Sequence, residues 1–348
     1  MKKKIQSEKI KDFCERVFGK IGLNHEDSKL VTDVLVESDL RGITSHGINR
    51  FNRYIKAIKK GDINILSCPK IISQEGATTI IDGNHCLGQK AGYIGMQETI
   101  RIAKKYGVAI TTVKNSNHYG IAGYYSMMAL KEDMIGISMT NTAPLVVPTF
   151  GKEAVLGTNP ISVAVPTGIE YPWVMDFATS IVPRGKIEVA AKLGKKLKSG
   201  WAVDSDGNNC LDPHAVLNSL ETVRLGGILP MGTYKGYGFA TLVDILCGVL
   251  SGSEFGKGVY SKGEPKVGHF FMAIDITKFM NIEEFKIRMN LLMGMLHGSH
   301  KNNSKVFVHG EKEYLEHKKR SSEGIPFDRE FLDILDGIGE EHGVNTSW

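Results

Sequence analysis

No Gly-x-Gly-x-x-Gly run occurs anywhere in this chain, so the fingerprint of the usual parallel-sheet dinucleotide fold is missing. No Gly-x-x-x-x-Gly-Lys-Ser/Thr run occurs either, which excludes a phosphate loop of the Walker kind. His-Glu-x-x-His is absent, and the 11 histidines fall at no ligand spacing, so no metal is expected. The cysteines number only 5 (Cys14, Cys68, Cys86, Cys210, Cys247), scattered and without a Cys-x-x-Cys pair. That pattern argues against a disulfide framework and points to free thiols in a reducing cytosol. No apolar run approaches the roughly 18–20 residues of a membrane span. Lys2, Lys3 and Lys4 are not followed by an apolar stretch, so no leader is expected and the cytoplasm is the expected location. No arginine-rich arm or basic patch interleaved with aromatics suggests nucleic acid. The balance of 43 basic against 38 acidic side chains gives +5, which mildly favours an anionic ligand.

What is present is an ordinary soluble composition, 42% hydrophobic and 23% charged over 348 residues, enough for two domains. Residues 44–61 organise the reading. The spacing predicts one helix capped by Thr44 or Ser45, with Ile48, Phe51, Ile55 and Ile58 on a buried stripe. His46, Arg50 and Arg53 then fall on the opposite face, flanked by Tyr54. An Arg grips a carboxylate at two points, and a His one turn away can move a proton at the neighbouring carbon. That pair suits a 2-hydroxy or 2-oxo acid. The competing reading is a solvated surface helix.

Around this stretch the sequence predicts helices from Ser7 and over residues 25–40, 89–105 and 122–130, with Asn24 as a cap. Further helices are expected over residues 184–193, 239–250, 282–296 and 327–342, the helix over 282–296 being amphipathic. Strands are expected near residues 71–72, 78–81, 108–113, 135–139, 161–165, 173–176 and 269–276. The polar run 115–120 (NSNHYG) reads as a loop in which Asn115, Ser116 and Asn117 could fix the tautomer of His118. Lys235 and Gly236 read as a Gly-rich turn before an apolar helix, a place where backbone N–H groups attract phosphate. Asp176, at a strand end, could bond a ribose hydroxyl or cap the following turn.

These segments carry a resemblance to the type-2 malate/L-lactate dehydrogenase family. The matching stretches are Asp39-Leu40-Arg41-Gly42-Ile43-Thr44-Ser45-His46-Gly47 with Arg50 and Tyr54, then residues 115–120, 156–160 (LGTNP) and 175–178 (MDFA). Arg184-Gly185-Lys186, residues 200–204 and Lys235-Gly236-Tyr237-Gly238 continue the match in family order across nearly the whole chain. The resemblance implies an α/β (α+β-like) architecture. A non-Rossmann dinucleotide domain with a largely antiparallel sheet would span 116–304. A helical substrate and dimerisation domain would span 1–115 with 305–348. It implies NAD as cofactor, with NADP possible, a small carboxylate substrate and a homodimer. By resemblance, Ser45, His46, Arg50, Tyr54 and His118 would line the substrate pocket. Thr142, Thr158, Asn159, Pro160, Asp176, Phe177, Ala178, Lys235 and Gly236 would hold the dinucleotide. Gly310 and Glu311 of His309-Gly310-Glu311 would reach its adenine side, although a proline usual in the family is replaced by His309. Malate and oxaloacetate are the favoured pair, and His46 is favoured over His118 as acid–base group because it shares a helix face with Arg50. Lactate, sulfolactate, ureidoglycolate and a cyclic imino acid are alternatives on the same fold. A metal-assisted hydrolase or lyase built on His46 and His118 is the alternative of a different class.

Overall fold

The computed structural model describes residues 2–221, 226–263, 265–299, 305–346 and 348. Apolar residues at helical spacing decide the N-terminal elements. β1 (Lys3–Ile5) leads into α1 (Ser7–Lys20), whose inner face buries Ile10, Phe13, Cys14, Val17 and Phe18. Asn24 caps α2 (His25–Leu40): its side chain accepts the Asp27 N–H at 2.8 Å, satisfying one orphan donor of the first turn. α3 (Phe51–Lys60) ends at Gly61, whose φ of 84° is the left-handed C-cap conformation that glycine adopts freely.

The sheet follows. Its first part is β2 (Lys70–Glu75), β3 (Thr78–Asp82), α4 (Gly88–Tyr106), β4 (Val108–Ser116), α5 (Ala122–Ser126) and β5 (Met134–Thr140). β6 (Ile161–Val165) and β7 (Trp173–Phe177) come next. A smaller lobe of α6 (Arg184–Lys192), β8 (Ala202–Val203), α7 (Pro213–Glu221) and β9 (Gly227–Ile228) has its own apolar core around Val146, Ile187, Val216 and Ile228. α8 (Tyr234–Asp244), β10 (Val267–Asp275) and α9 (Ile282–His297) complete this part. The chain then returns through α10 (Glu311–Glu323), β11 (Ile325–Phe327) and α11 (Arg329–His342) to the N-terminal helices. There β11 pairs with β1, and Leu332, Leu335 and Ile338 join the core of α1, α2 and α3.

One 7-stranded sheet has the order β2-β3-β4-β10-β5-β6-β7, and every pairing is antiparallel except β3 with β4. A Rossmann sheet is parallel, so the missing glycine fingerprint and the topology agree. Met96, Tyr119, Tyr125 and Phe271 pack on one face, while Val243, Cys247 and Phe270 pack on the other. Burying side chains of this size stabilises the fold by about 1.5–3 kcal/mol each.

Three expectations about the elements change. The sheet crosses the expected boundary at residue 115, because β2, β3 and β4 pair into the same sheet as the later strands. The helical unit is therefore built on residues 5–63 and 325–344, with Leu87 added to its core. The apolar helix expected from residue 239 starts earlier, at Tyr234, and passes after Asp244 into a wide π turn, Ile245–Val249. Residues 44–61 are not one helix.

Candidate active site

The break in that stretch is built by Asp39. Its buried Oδ2 accepts the Ile48 N–H at 2.7 Å, and a Cβ on Gly47 would lie 2.2 Å from the same carboxyl. Only glycine fits over that group. The chain therefore makes two short 3-10 turns, Thr44–His46 and Ile48–Arg50, joined by Gly47 at φ −84° and ψ −148°. The α-helix starts at Phe51, with no side-chain cap from Thr44 or Ser45. Burial pushes the Asp39 carboxyl up to about 7, opposed by the Ile48 N–H and the Arg320 guanidinium.

His46 and Arg50 thus do not share a helix face, yet tertiary contacts still gather the group. Arg50 Nε donates to the Ser45 carbonyl at 2.7 Å, which leaves the terminal nitrogens of its fork to a ligand. Ser45 Oγ lies 2.9 Å from His46 Nδ1. The His46 and His118 rings stack with centroids 5.6 Å apart and planes 13° apart. Tyr54 Oη lies 2.6 Å from His118 Nδ1. Burial, then the guanidiniums of Arg50 and Arg53, hold His46 down at about 4. Burial, then Arg53, His46 and Arg50, hold His118 well below the ordinary imidazole range. Both rings are neutral near pH 7.

The neighbours expected to orient His118 do other work. Asn115 and Ser116 belong to β4 rather than a loop. The Asn115 amide bonds the Asp82 carboxylate, that of Asn117 bonds the His85 and Cys86 carbonyls, and Ser116 Oγ meets His269. Tyr54, 64 residues away, does the orienting. Beside this pair opens a cavity of about 240 Å³, with Arg53, Tyr54, Asn117, His118 and Tyr260 in its wall. Gly185 of α6 faces Ser45 from the other side, so close that a Cβ on Gly185 would lie 3.5 Å from the Ser45 Cβ.

The dinucleotide candidates fall into two groups. Backbone bonds run from Thr179 N to Thr158 O, Met231 N to Thr179 O and Gly236 N to Met231 O, at 2.9, 2.9 and 2.7 Å. Asn159 Oδ1 accepts the Thr142 N–H at 3.1 Å, and Asn159 Nδ2 donates to the Ala240 carbonyl at 2.8 Å. Thr142, Thr158, Asn159 and Gly236 are thereby stitched together, with Pro160 next in the chain and Lys235 beside Gly236. Phe177 pairs with Ile161 at the same end of β7, and Ala178 follows. Lys235 and Gly236 lie inside the first turn of α8, not before it, and that helix start has no side-chain cap. An uncapped N-terminus with an exposed lysine fits a phosphate group. Gly310 sits at the opposite end of β7, where the His309 carbonyl accepts the Val174 N–H at 3.2 Å. The two groups are separated by about 15 Å of strand, the scale of an extended dinucleotide. Two candidates are engaged within the protein. Asp176 Oδ2 accepts the Gly123 N–H at 2.8 Å, serving neither its own turn nor an open face. Glu311 meets His297 and Lys305, each at 2.8 Å.

A family model described as malate/L-lactate dehydrogenase matches residues 5–336. The chain belongs to the malate/L-lactate dehydrogenase family. Its reaction class is NAD-dependent oxidoreduction of 2-hydroxy and 2-oxo acids. A malate dehydrogenase of Pyrococcus abyssi is 44% identical over 346 residues, covering 98% of this chain and 95% of the relative. A malate/(S)-sulfolactate dehydrogenase of Methanothermus fervidus is 40% identical, covering 99% of each. The crystal structure of malate dehydrogenase from Entamoeba histolytica superposes with a TM-score of 0.96 at 34% identity, covering 100% of both chains.

In this member of the family the sequence reading overlooks two contributors. Asp39 stands in the quoted motif, but its role depends on Ile48 and Gly47 folding back over it; the only signal is an acid at the end of an apolar helix. Tyr260, on the turn Gly256–Gly263, carries no local signal at all. His269 is the converse case: it is buried, and Thr140 Oγ1 and Ser116 Oγ each lie 2.8 Å from a ring nitrogen. Stacked on Tyr119 at 4.5 Å, it is a satisfied core residue.

Proposed function

We propose that the chain interconverts malate and oxaloacetate, using NAD in preference to NADP, as a cytoplasmic homodimer. The observation that carries the reading is the Tyr54–His118 contact of 2.6 Å beside the cavity. It engages Nδ1 and leaves Nε2 to the substrate. A phenol both donates and accepts, so Tyr54 can follow the imidazole through either protonation state. His118 exchanges a proton with the C2 oxygen of the substrate. Arg50 grips the C1 carboxylate through a planar two-point pair. His46, its Nδ1 engaged by Ser45, stacks on His118 and helps orient the substrate. The sequence favours His46 for the proton exchange through a helix face shared with Arg50. The fold lacks that face, and the wall of the cavity contains His118, so the assignment passes to His118.

Thr142, Thr158, Asn159 and the start of α8 with Lys235 would hold one part of the dinucleotide, and the Gly310 loop the other. When bound, the nicotinamide supplies or accepts the hydride at C2. Similarity to the Pyrococcus abyssi malate dehydrogenase supports malate as the substrate.

Oxaloacetate is to be incubated with purified protein and NADH or NADPH, with and without chelator. Chelator-insensitive loss of reduced-nicotinamide absorbance is expected, faster with NADH. Absence of turnover with either cofactor, or turnover abolished by chelator, would overturn the reading.

A further inference from the structure

We infer that Arg53, held by Tyr260, is the specificity residue for a second anionic group on the substrate, at the end distant from the reacting carbon. This rests on the reading of the chain as a 2-oxo acid reductase and names the substrate class more narrowly: a dianion carrying a distal carboxylate or sulfonate.

The geometry separates the two arginines of the stretch. Arg50 is drawn to the Ser45 carbonyl and is not in the wall of the cavity. Arg53, one turn further along α3, is in that wall together with His118 and Tyr260. A substrate with C1 at Arg50 and its C2 oxygen at His118 Nε2 therefore extends toward Arg53. The two guanidiniums are three residues apart, a rise of roughly 4.5 Å along a helix, the scale of a four-carbon diacid.

The charge around Arg53 is uncompensated. Lys56 and Lys60 share the wall; Lys60 is paired with Asp62 at 3.1 Å. Among the described residues no carboxylate forms an ion pair with Arg53, whose protein partner is the Tyr260 hydroxyl. An unpaired guanidinium facing a small cavity favours an anion. It also acts directly on the reacting region, since Arg53 is the foremost charge holding His118 neutral.

The test measures kcat/KM for oxaloacetate, 3-sulfopyruvate and pyruvate in wild type, Arg53→Gln and Arg53→Lys. Loss of a charge-assisted pair predicts that the oxaloacetate-to-pyruvate ratio falls roughly 10- to 100-fold in Arg53→Gln, with part of it regained in Arg53→Lys. The sulfopyruvate-to-pyruvate ratio should fall with it, and the wild-type preference between the two dianions identifies which distal group the site takes. A ratio that does not move, or an equal loss on oxaloacetate and pyruvate, overturns the inference. Calorimetric titration with malate and with lactate keeps the question apart from turnover. If no 2-oxo acid is reduced, the proposed activity fails on its own. A tenfold weakening of malate relative to lactate in Arg53→Gln would still uphold the anion site, and equal weakening would remove it.

Discussion

Two neutral imidazoles stacked beside two guanidiniums make the direction of catalysis sensitive to pH. Oxidation of a hydroxy acid needs His118 unprotonated, and reduction needs it protonated. Because burial and Arg53 hold His118 low in the free protein, kcat/KM for malate oxidation should stay level as pH falls from about 8 to about 6. The same quantity for oxaloacetate reduction should fall as pH rises over that range, as the proton-donating form becomes scarcer. A loss of oxidation centred near the ordinary imidazole value of about 6.5 would contradict this. His118→Ala should lower the rate about 10²–10⁴-fold and His46→Ala less. The reverse order in the pH–rate comparison would return the proton exchange to His46. Tyr54→Phe keeps the ring but removes the bond to Nδ1, so a smaller loss of about tenfold is expected.

The turn between α2 and α3 is the element on which this group depends. Gly47→Ala would drive a methyl into the Asp39 carboxyl, 2.2 Å away, and the flanking turns that carry His46 and Arg50 would have to shift. Activity should collapse, and the melting temperature should drop by several degrees, consistent with roughly 1–3 kcal/mol of overpacking. Near-wild-type turnover would show that the turn does not govern the site. Asp39→Asn is the gentler probe. Its amide oxygen can still accept the Ile48 N–H without a buried charge. A carboxyl whose folded value is raised to about 7 contributes less stability as pH rises from its unfolded value of about 3.9 through 7. The melting temperature of the Asn variant minus that of wild type should therefore grow from pH 5 to pH 8; a difference independent of pH would remove Asp39 as the cause. At this scale the sequence is readable where the cause is local. Asn24 caps because Asp27 is three residues away, and the strands near residues 108 and 269 announce themselves by apolar runs. The break at Gly47 is invisible to periodicity because Asp39 acts from the end of the preceding helix. Tyr54 likewise meets His118 across 64 residues, so each residue is legible and their contact is not.

At the scale of the whole chain, the fold class follows from a missing fingerprint combined with family motifs, whereas the division at residue 115 does not survive. Pairing in this sheet is non-local: β10 inserts between β4 and β5, and the strands before residue 116 join it. The amphipathic spacing of α9 is legible, but the sequence does not say what covers its apolar side. Within one chain, only Met293 of that helix is buried. Leu291 and Met295 are each 69% exposed, and Ile287 and Leu292 are exposed beside them. Soluble monomers rarely leave so much contiguous apolar helix surface in water. A second copy packing on this face would bury it at about 25 cal/mol per Å² of apolar area, before the entropy of association is subtracted. Light scattering should therefore give the wild type a mass twice the 38.3 kDa of the chain. Leu291→Glu combined with Met295→Glu places two carboxylates where that contact would exclude water, and should shift the equilibrium toward the single chain. A wild type that runs as a monomer at micromolar concentration, or a double variant that keeps the dimer mass, would mean that α9 is not the contact.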